Sequence, residues 1–289
     1  MKSLFFLFFV LLLYSCDTSD LNFDVQEFLN RGEISHQMDI YTTADLDGPL
    51  APVLFLVHGG GWCQSDKSTI TAEQCYFFVR NGYVVVNSNY SLSPYPWELD
   101  NPDRLTMNTS LNDLAGNLKW VCDSIKYYGG DGQKIYLVGH SAGAQLSALL
   151  AIDQTYLQQK GVEVTNIKAV CCLDGGPYMS RVDLMDNPDL KSLKYNWINA
   201  VGSDNLKDWR IYIPSECIHP DCYYPNFLQI YSPKKYRSLP NVELANKLSD
   251  YTTVEQYVYG WEHLDFWNRL GLQEWKLFNE QIISFGFNI

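Results

Sequence analysis

The sequence predicts an α/β protein: a doubly wound, mostly parallel sheet with helices on both faces and an insertion over one end. Three observations predict it. Continuous apolar runs at residues 52–57, 83–90 and 167–173 have the character of strands covered on both faces. Patterns of helical period stand between such runs, and Leu111, Leu114, Leu118, Val121 and Ile125 give the clearest one. In residues 135–146 an apolar, strand-like run passes through Gly139, His140, Ser141, Ala142 and Gly143 directly into good helix material. Strands and helices alternating at this rhythm call for right-handed crossovers and a parallel sheet.

The 289 residues suit one large domain, and a hydrophobic content of 46% against 19% charged residues predicts a packed core. A net charge of −12 argues against nucleic acid as a partner, since no basic patch is present to meet phosphates. At the N-terminus, Lys2 precedes an apolar run at residues 4–13 that fits the core of a signal peptide over residues 1–15. Leu13, Tyr14, Ser15 and Cys16 resemble a bacterial lipobox. That resemblance implies cleavage before Cys16, a lipid on its sulfur, and an exported periplasmic or cell-surface protein touching the membrane only through that anchor. Tyr14 departs from the small residue usual there, which leaves ordinary secretion open. Residues 16–30 then form a tether, and residues 31–289 the folded domain.

Seven further cysteines remain, and an exported chain can oxidise them. Cys217 with Cys222, and Cys63 with Cys75, are close enough in sequence to be candidate pairs. Cys122, Cys171 and Cys172 fall on apolar elements and read as core thiols. No zinc-like spacing occurs, and His58, His140, His219 and His263 are scattered, so neither a metal nor an organic cofactor is expected.

In chain order, residues 34–41 predict one or two outer strands. The run at 52–57 ends in His58, Gly59, Gly60, Gly61 and Trp62, where three glycines leave backbone N–H groups free to approach a ligand. A helix at 69–80, a strand at 83–90 and a proline-containing loop at 91–103 follow. After the helix that starts near Ser141 come the strand at 167–173 and then Asp174, Gly175, Gly176 and Pro177. Residues 178–226 break the rhythm and read as an insertion over the pocket. A strand at 227–231, a helix at 240–249 with Pro240 at its start, a strand at 254–259, and a helix at about 273–284 complete the chain.

The strand, the G-x-S-x-G sequence and the helix in that order form a nucleophile elbow: a sharp turn that exposes the Ser141 hydroxyl at the N-terminus of a helix. With the glycines after His58 and a histidine just after the last strand, these motifs resemble the α/β-hydrolase superfamily. The match is to the esterase/lipase branch with an HGGG loop, including hormone-sensitive-lipase-like and feruloyl-esterase-like enzymes. It covers residues 50–285. Residues 261–266 also resemble the histidine motif of acid lipases.

The resemblance implies an α/β-hydrolase fold with Ser141 as nucleophile and His263 as base. It assigns the amides of Gly60, Gly61 and Ala142 to the oxyanion hole. His140 points elsewhere in such enzymes, and His219 lies in the insertion. The family usually carries its acid after the strand at 227–231, but residues 232–238 here hold no carboxylate and three cations. Asp174, Glu243 and Asp265 are the alternatives, with Asp174 favoured because it ends the strand after the elbow helix. The resemblance implies a serine carboxylesterase acting on a small to medium ester, with acetyl or feruloyl esters of glycans among the substrates. An arylformamidase- or peptidase-like amide hydrolase is a second reading. A degenerate hydrolase fold acting as a binding protein is a third.

Overall fold

A computed structural model of the chain describes residues 23–29, 37–43, 48–95 and 104–287. The expected signal peptide and Cys16 lie outside the described residues. Eight strands form one sheet in the described residues: β1 (Phe23–Leu29), β2 (Gln37–Thr43), β3 (Ala51–Val57), β4 (Val84–Ser88), β5 (Gly130–His140), β6 (Ile167–Leu173), β7 (Asn226–Tyr231) and β8 (Val254–Val258). Their order is β1-β2-β4-β3-β5-β6-β7-β8. β1 and β2 run antiparallel at one edge, and every pairing from β4 to β8 is parallel. The first strand is a correction. Residues 23–29 were expected in the tether, but they pair with β2 from Phe23↔Thr43 to Leu29↔Gln37.

The helices are α1 (Ala72–Arg80), α2 (Met107–Ser124), α3 (Ala142–Ile152), α4 (Thr155–Lys160), α5 (Lys191–Val201), α6 (Leu206–Trp209), α7 (Lys235–Leu248), α8 (Asp265–Asn268) and α9 (Lys276–Phe287). The period-2 geometry of the strands sorts the apolar runs onto two faces. Val53, Phe55 and Val57 of β3 and Ile135 and Leu137 of β5 join one core with α2 and α3. Leu54, Leu56, Tyr136 and Val138 turn the other way, into a second core with α1 and α9. All five apolar residues of the 111–125 pattern are fully buried.

Several boundaries differ from expectation for local reasons. Residues 67–69 form a separate 3₁₀ turn, and α1 starts later because Thr71 caps it in a reciprocal capping box with Gln74. α7 begins at Lys235 and carries Pro240 inside it. The missing proline N–H removes one helical bond without ending the helix, and the Asn241 side chain fastens that turn by donating to the Arg237 carbonyl at 2.8 Å. The expected Cys63–Cys75 and Cys217–Cys222 pairs do not form: the seven described cysteines are free. Cys75 faces the core beside Tyr41 while Cys63 sits over the Gly60 carbonyl. Cys217 turns to the carbonyls of Arg210 and Ile211 while Cys222 lies against Tyr224.

Candidate active site

The site is assembled at the C-terminal ends of β3, β5, β6 and β7, and its centre is Ser141. This residue follows β5 and precedes α3 with φ 54° and ψ −117°, a left-handed conformation that a non-glycine residue adopts only when its surroundings enforce it. Close packing on both sides enforces it. A Cβ on Gly143 would stand 2.2 Å from the Val57 carbonyl oxygen, and one on Gly139 would stand 2.2 Å from that of Gly143. Only glycine lets the start of α3 lie against β3 and β5 at once. The Ser141 N–H donates to the Leu173 carbonyl at 2.9 Å, which continues the sheet ladder into the turn.

His263 lies in the loop after β8, and its Nε2 is 2.8 Å from Ser141 Oγ. Its Nδ1 is 2.7 Å from Asp174 Oδ2. Asp174 follows β6, is fully buried, and has φ 48°. Its other oxygen accepts from the Ser232 amide at 2.8 Å and the Ser232 hydroxyl at 2.9 Å. Ser232 stands immediately after β7, in the loop where the resemblance places the acid. That loop supplies hydrogen-bond donors, and the carboxylate comes from the strand beside it. Burial pushes the Asp174 carboxyl up, but the His263 hydrogen bond, the Arg237 guanidinium and the Ser232 amide outweigh it and hold it below the usual carboxylate range. Asp174 is therefore an ionised acceptor, and His263 carries its proton on Nδ1. Burial lowers the His263 pKa, and the Arg237 and Lys234 charges add to this against the pull of Asp174.

The remaining sequence candidates are elsewhere. His140 is buried, stacked on Trp267 and tilted against His263, and its Nε2 lies 2.9 Å from the His263 carbonyl, so it fixes the loop. Burial and the nearby His263 push its pKa down to about 3. His58 stacks on Tyr90, and burial lowers its pKa to about 4. His219 is exposed beside a separate small cavity. Glu243 pairs with Arg181 and Lys247. Asp265 accepts from the Glu262 amide and pairs with Arg269.

Gly60 and Gly61 have φ 110° and 58°, and a Cβ on Gly60 would stand 1.9 Å from the Gln64 carbonyl oxygen. Trp62 is also left-handed and is locked by its indole N–H, which donates to Gln145 of α3 at 3.0 Å. Gln145 donates onward to the Tyr212 carbonyl at 2.8 Å, so one buried side chain joins the elbow helix, the glycine loop and the insertion. Ala142 is the first residue of α3, where a backbone N–H has no acceptor within its own helix. Gly60, Gly61, Ser141 and His263 share a cavity of about 660 Å³, whose far wall is the Asp189–Asn196 part of the insertion.

Sequence reasoning missed two side chains. Tyr178, fully buried, has its hydroxyl 3.5 Å from Ser141 Oγ. Arg237 donates to the Asp174 carbonyl at 2.7 Å and approaches Asp174 Oδ2 to 3.6 Å. The three cations of residues 232–238 were the available signal for the second; nothing in the sequence singled out the first.

A strained serine at a strand–helix turn, with a histidine and a carboxylate delivered from later strands of one parallel sheet, is the layout of the α/β-hydrolase fold. Residues 33–162 match the family model described as "Carboxylesterase family". Esterase LipQ of Mycobacterium tuberculosis is 34% identical over 141 residues, which are 48% of this chain and 30% of that protein. A probable isoprenylcysteine alpha-carbonyl methylesterase of Oryza sativa is 29% identical over 147 residues, 49% of this chain and 32% of that protein. The matched stretch thus spans about a third of the length of these curated relatives. Among solved structures, esterase B from Lactobacillus rhamnosis superposes with a TM-score of 0.72 at 18% identity, covering 93% of this chain and 87% of that one. A thermostable esterase from Pseudomonas putida gives 0.67 at 20% identity, covering 93% and 82%. These superpositions give the chain an α/β-hydrolase fold, and the carboxylesterase model matches the part of it that ends just after α4. The family match ends before Asp174 and His263, so their arrangement comes from the structure.

Proposed function

We propose that the protein is a serine carboxylesterase that hydrolyses a small to medium carboxylic ester through an acyl-enzyme on Ser141. The observation that carries this reading is the hydrogen-bonded chain from Asp174 through His263 to Ser141, 2.7 and 2.8 Å long in its two links, whose Ser141 and His263 line the cavity. His263 Nε2 accepts the Ser141 proton as Oγ attacks the ester carbon, then returns it to the leaving alcohol. Asp174 holds the Nδ1–H, which keeps Nε2 free as the base and stabilises the imidazolium that forms. The oxyanion develops before the amides of Gly60, Gly61 and Ala142, where each donor is worth roughly 10²–10³ in rate. Water repeats the sequence to release the acid.

A cavity of about 660 Å³ accommodates an ester of modest size. Acetyl and feruloyl esters of glycans belong to that class. The complete serine–histidine–aspartate chain speaks against the degenerate binding protein, which has no physical need for it. The test is turnover of a p-nitrophenyl acetate-to-octanoate series by wild type and Ser141→Ala. Hydrolysis that disappears in the variant is the expected result. Absence of Ser141-dependent turnover on every ester in the series would refute the reading.

A further inference from the structure

We propose that the Tyr178 hydroxyl is a further catalytic group of this site, donating a hydrogen bond to Ser141 Oγ and held in that direction by Arg237. The inference rests on the esterase reading above and concerns how Oγ is stabilised when it leaves.

Donor directions decide the geometry. Arginine only donates, so the Arg237 Nη1 contact with the Tyr178 hydroxyl, at 3.4 Å, uses the phenol oxygen as acceptor. The phenol proton must then go elsewhere. Tyr178 is fully buried, and the other polar contact of its hydroxyl is Ser141 Oγ at 3.5 Å. Ser141 sends its own proton to His263 Nε2, because Nδ1–H is committed to Asp174. The order is therefore fixed throughout: Arg237 to Tyr178 to Ser141 to His263, with His263 donating at its far side to Asp174. The 3.5 Å separation is long for a resting hydrogen bond, and catalytic contacts of this kind tighten as charge develops.

The surroundings hold the ring for this purpose. Tyr178 packs edge-on against Trp62 of the glycine loop, with ring centres 4.9 Å apart, and parallel to Trp197 of α5. Gly176 leaves the room it needs, since a Cβ there would stand 2.7 Å from the tyrosine ring and 3.0 Å from Arg237 Nη1. Arg237 is itself buried and anchored on the Asp174 carbonyl, which fixes the guanidinium where it meets the Tyr178 hydroxyl.

The step it serves is collapse of the second tetrahedral intermediate. Water has added to the acyl carbon, and His263 Nε2 has taken its proton. The bond from that carbon to Oγ then breaks, its electron pair goes to Oγ, and Oγ takes the proton from Nε2. Negative charge builds on Oγ before that transfer is complete. Tyr178 stabilises the charge by hydrogen bonding and keeps its own proton throughout.

Tyr178→Phe removes one oxygen and preserves the ring packing. Turnover of p-nitrophenyl acetate is measured for wild type, Ser141→Ala and Tyr178→Phe, with active sites counted by titration with a p-nitrophenyl phosphonate. Counting only titrated sites separates chemistry from folding. The expected result is kcat per titrated site lowered about ten- to a hundredfold, with KM falling in step where deacylation limits turnover, because slowing that step lets the acyl-enzyme accumulate. A kcat per titrated site within twofold of wild type overturns the inference, whatever happens to the thermal midpoint. If wild type itself shows no Ser141-dependent hydrolysis, the esterase reading falls first, and this inference with it.

Discussion

Replacing Asp174 with asparagine tests how the acid controls the base. The two oxygens of Asp174 have distinct work: Oδ1 accepts two hydrogen bonds from Ser232, and Oδ2 faces His263 Nδ1. An asparagine of the same shape keeps its carbonyl toward the two Ser232 donors, because its amide nitrogen cannot accept from them. The NH₂ group then faces Nδ1. That forces Nδ1 to accept and moves the imidazole proton to Nε2, the nitrogen that must receive the Ser141 proton. The base is present in the wrong tautomer. A loss of about 10⁴ in kcat follows, or about 5.5 kcal/mol at 1.36 kcal/mol per decade. The assay is steady-state hydrolysis of p-nitrophenyl acetate, with circular dichroism to verify folding and Glu243→Gln and Asp265→Asn as controls. Both controls should stay within a fewfold of wild type, since their carboxylates pair with Arg181, Lys247 and Arg269 and not with His263. A folded Asp174→Asn protein within tenfold of wild type would refute the tautomer argument and this choice of acid.

Two further outcomes follow from the same geometry. On the proposed mechanism His263 must be neutral to act as base, and burial together with Arg237 and Lys234 lowers its pKa in the folded protein. Activity is therefore retained below pH 6.5 and lost only as pH falls through the depressed value. The acidic limb of kcat/KM reports this, and a limb at pH 7 or above would contradict it. Gly143→Ala places a Cβ 2.2 Å and 2.4 Å from the backbone oxygens of Val57 and His58, in strand-end backbone that cannot yield cheaply. Destabilisation of at least about 3 kcal/mol in urea unfolding is expected, and a variant as stable as wild type would show that the elbow can open.

The elbow and the glycine loop were readable in sequence because close backbone contact admits only glycine there, and that constraint is local. The apolar runs were readable because a strand covered on both faces has no polar side. Asp174 was readable only as one of three carboxylates. Which of them meets His263 depends on β6 lying beside β7, and on Ser232 presenting donors across that pairing. Tyr178 and Arg237 come from opposite sides of a long insertion, and no spacing joins them. β1 escaped notice because its pairing with β2 at the sheet edge is a contact between two segments, which no continuous apolar run announces. The cysteine pairs failed for a related reason: nearness in sequence says nothing about which way each thiol faces.

The contact of His140 with His263 bears on how the protein would lose activity under stress. His263 is delivered from the loop after β8, the edge strand, whose residues are exposed or half-buried. What steadies that loop is the hydrogen bond between the His140 ring and the His263 carbonyl, and Trp261, which packs on Phe278 of α9 and stacks with Arg269. Ser141 and Asp174, by contrast, are rooted in central strands. Local opening of an edge costs less than opening of a centre. Heat or denaturant would thus separate the base from an intact nucleophile while most of the sheet persisted, and inactivation would run ahead of unfolding. The pieces of the reaction centre share one geometry, but they do not share one stability.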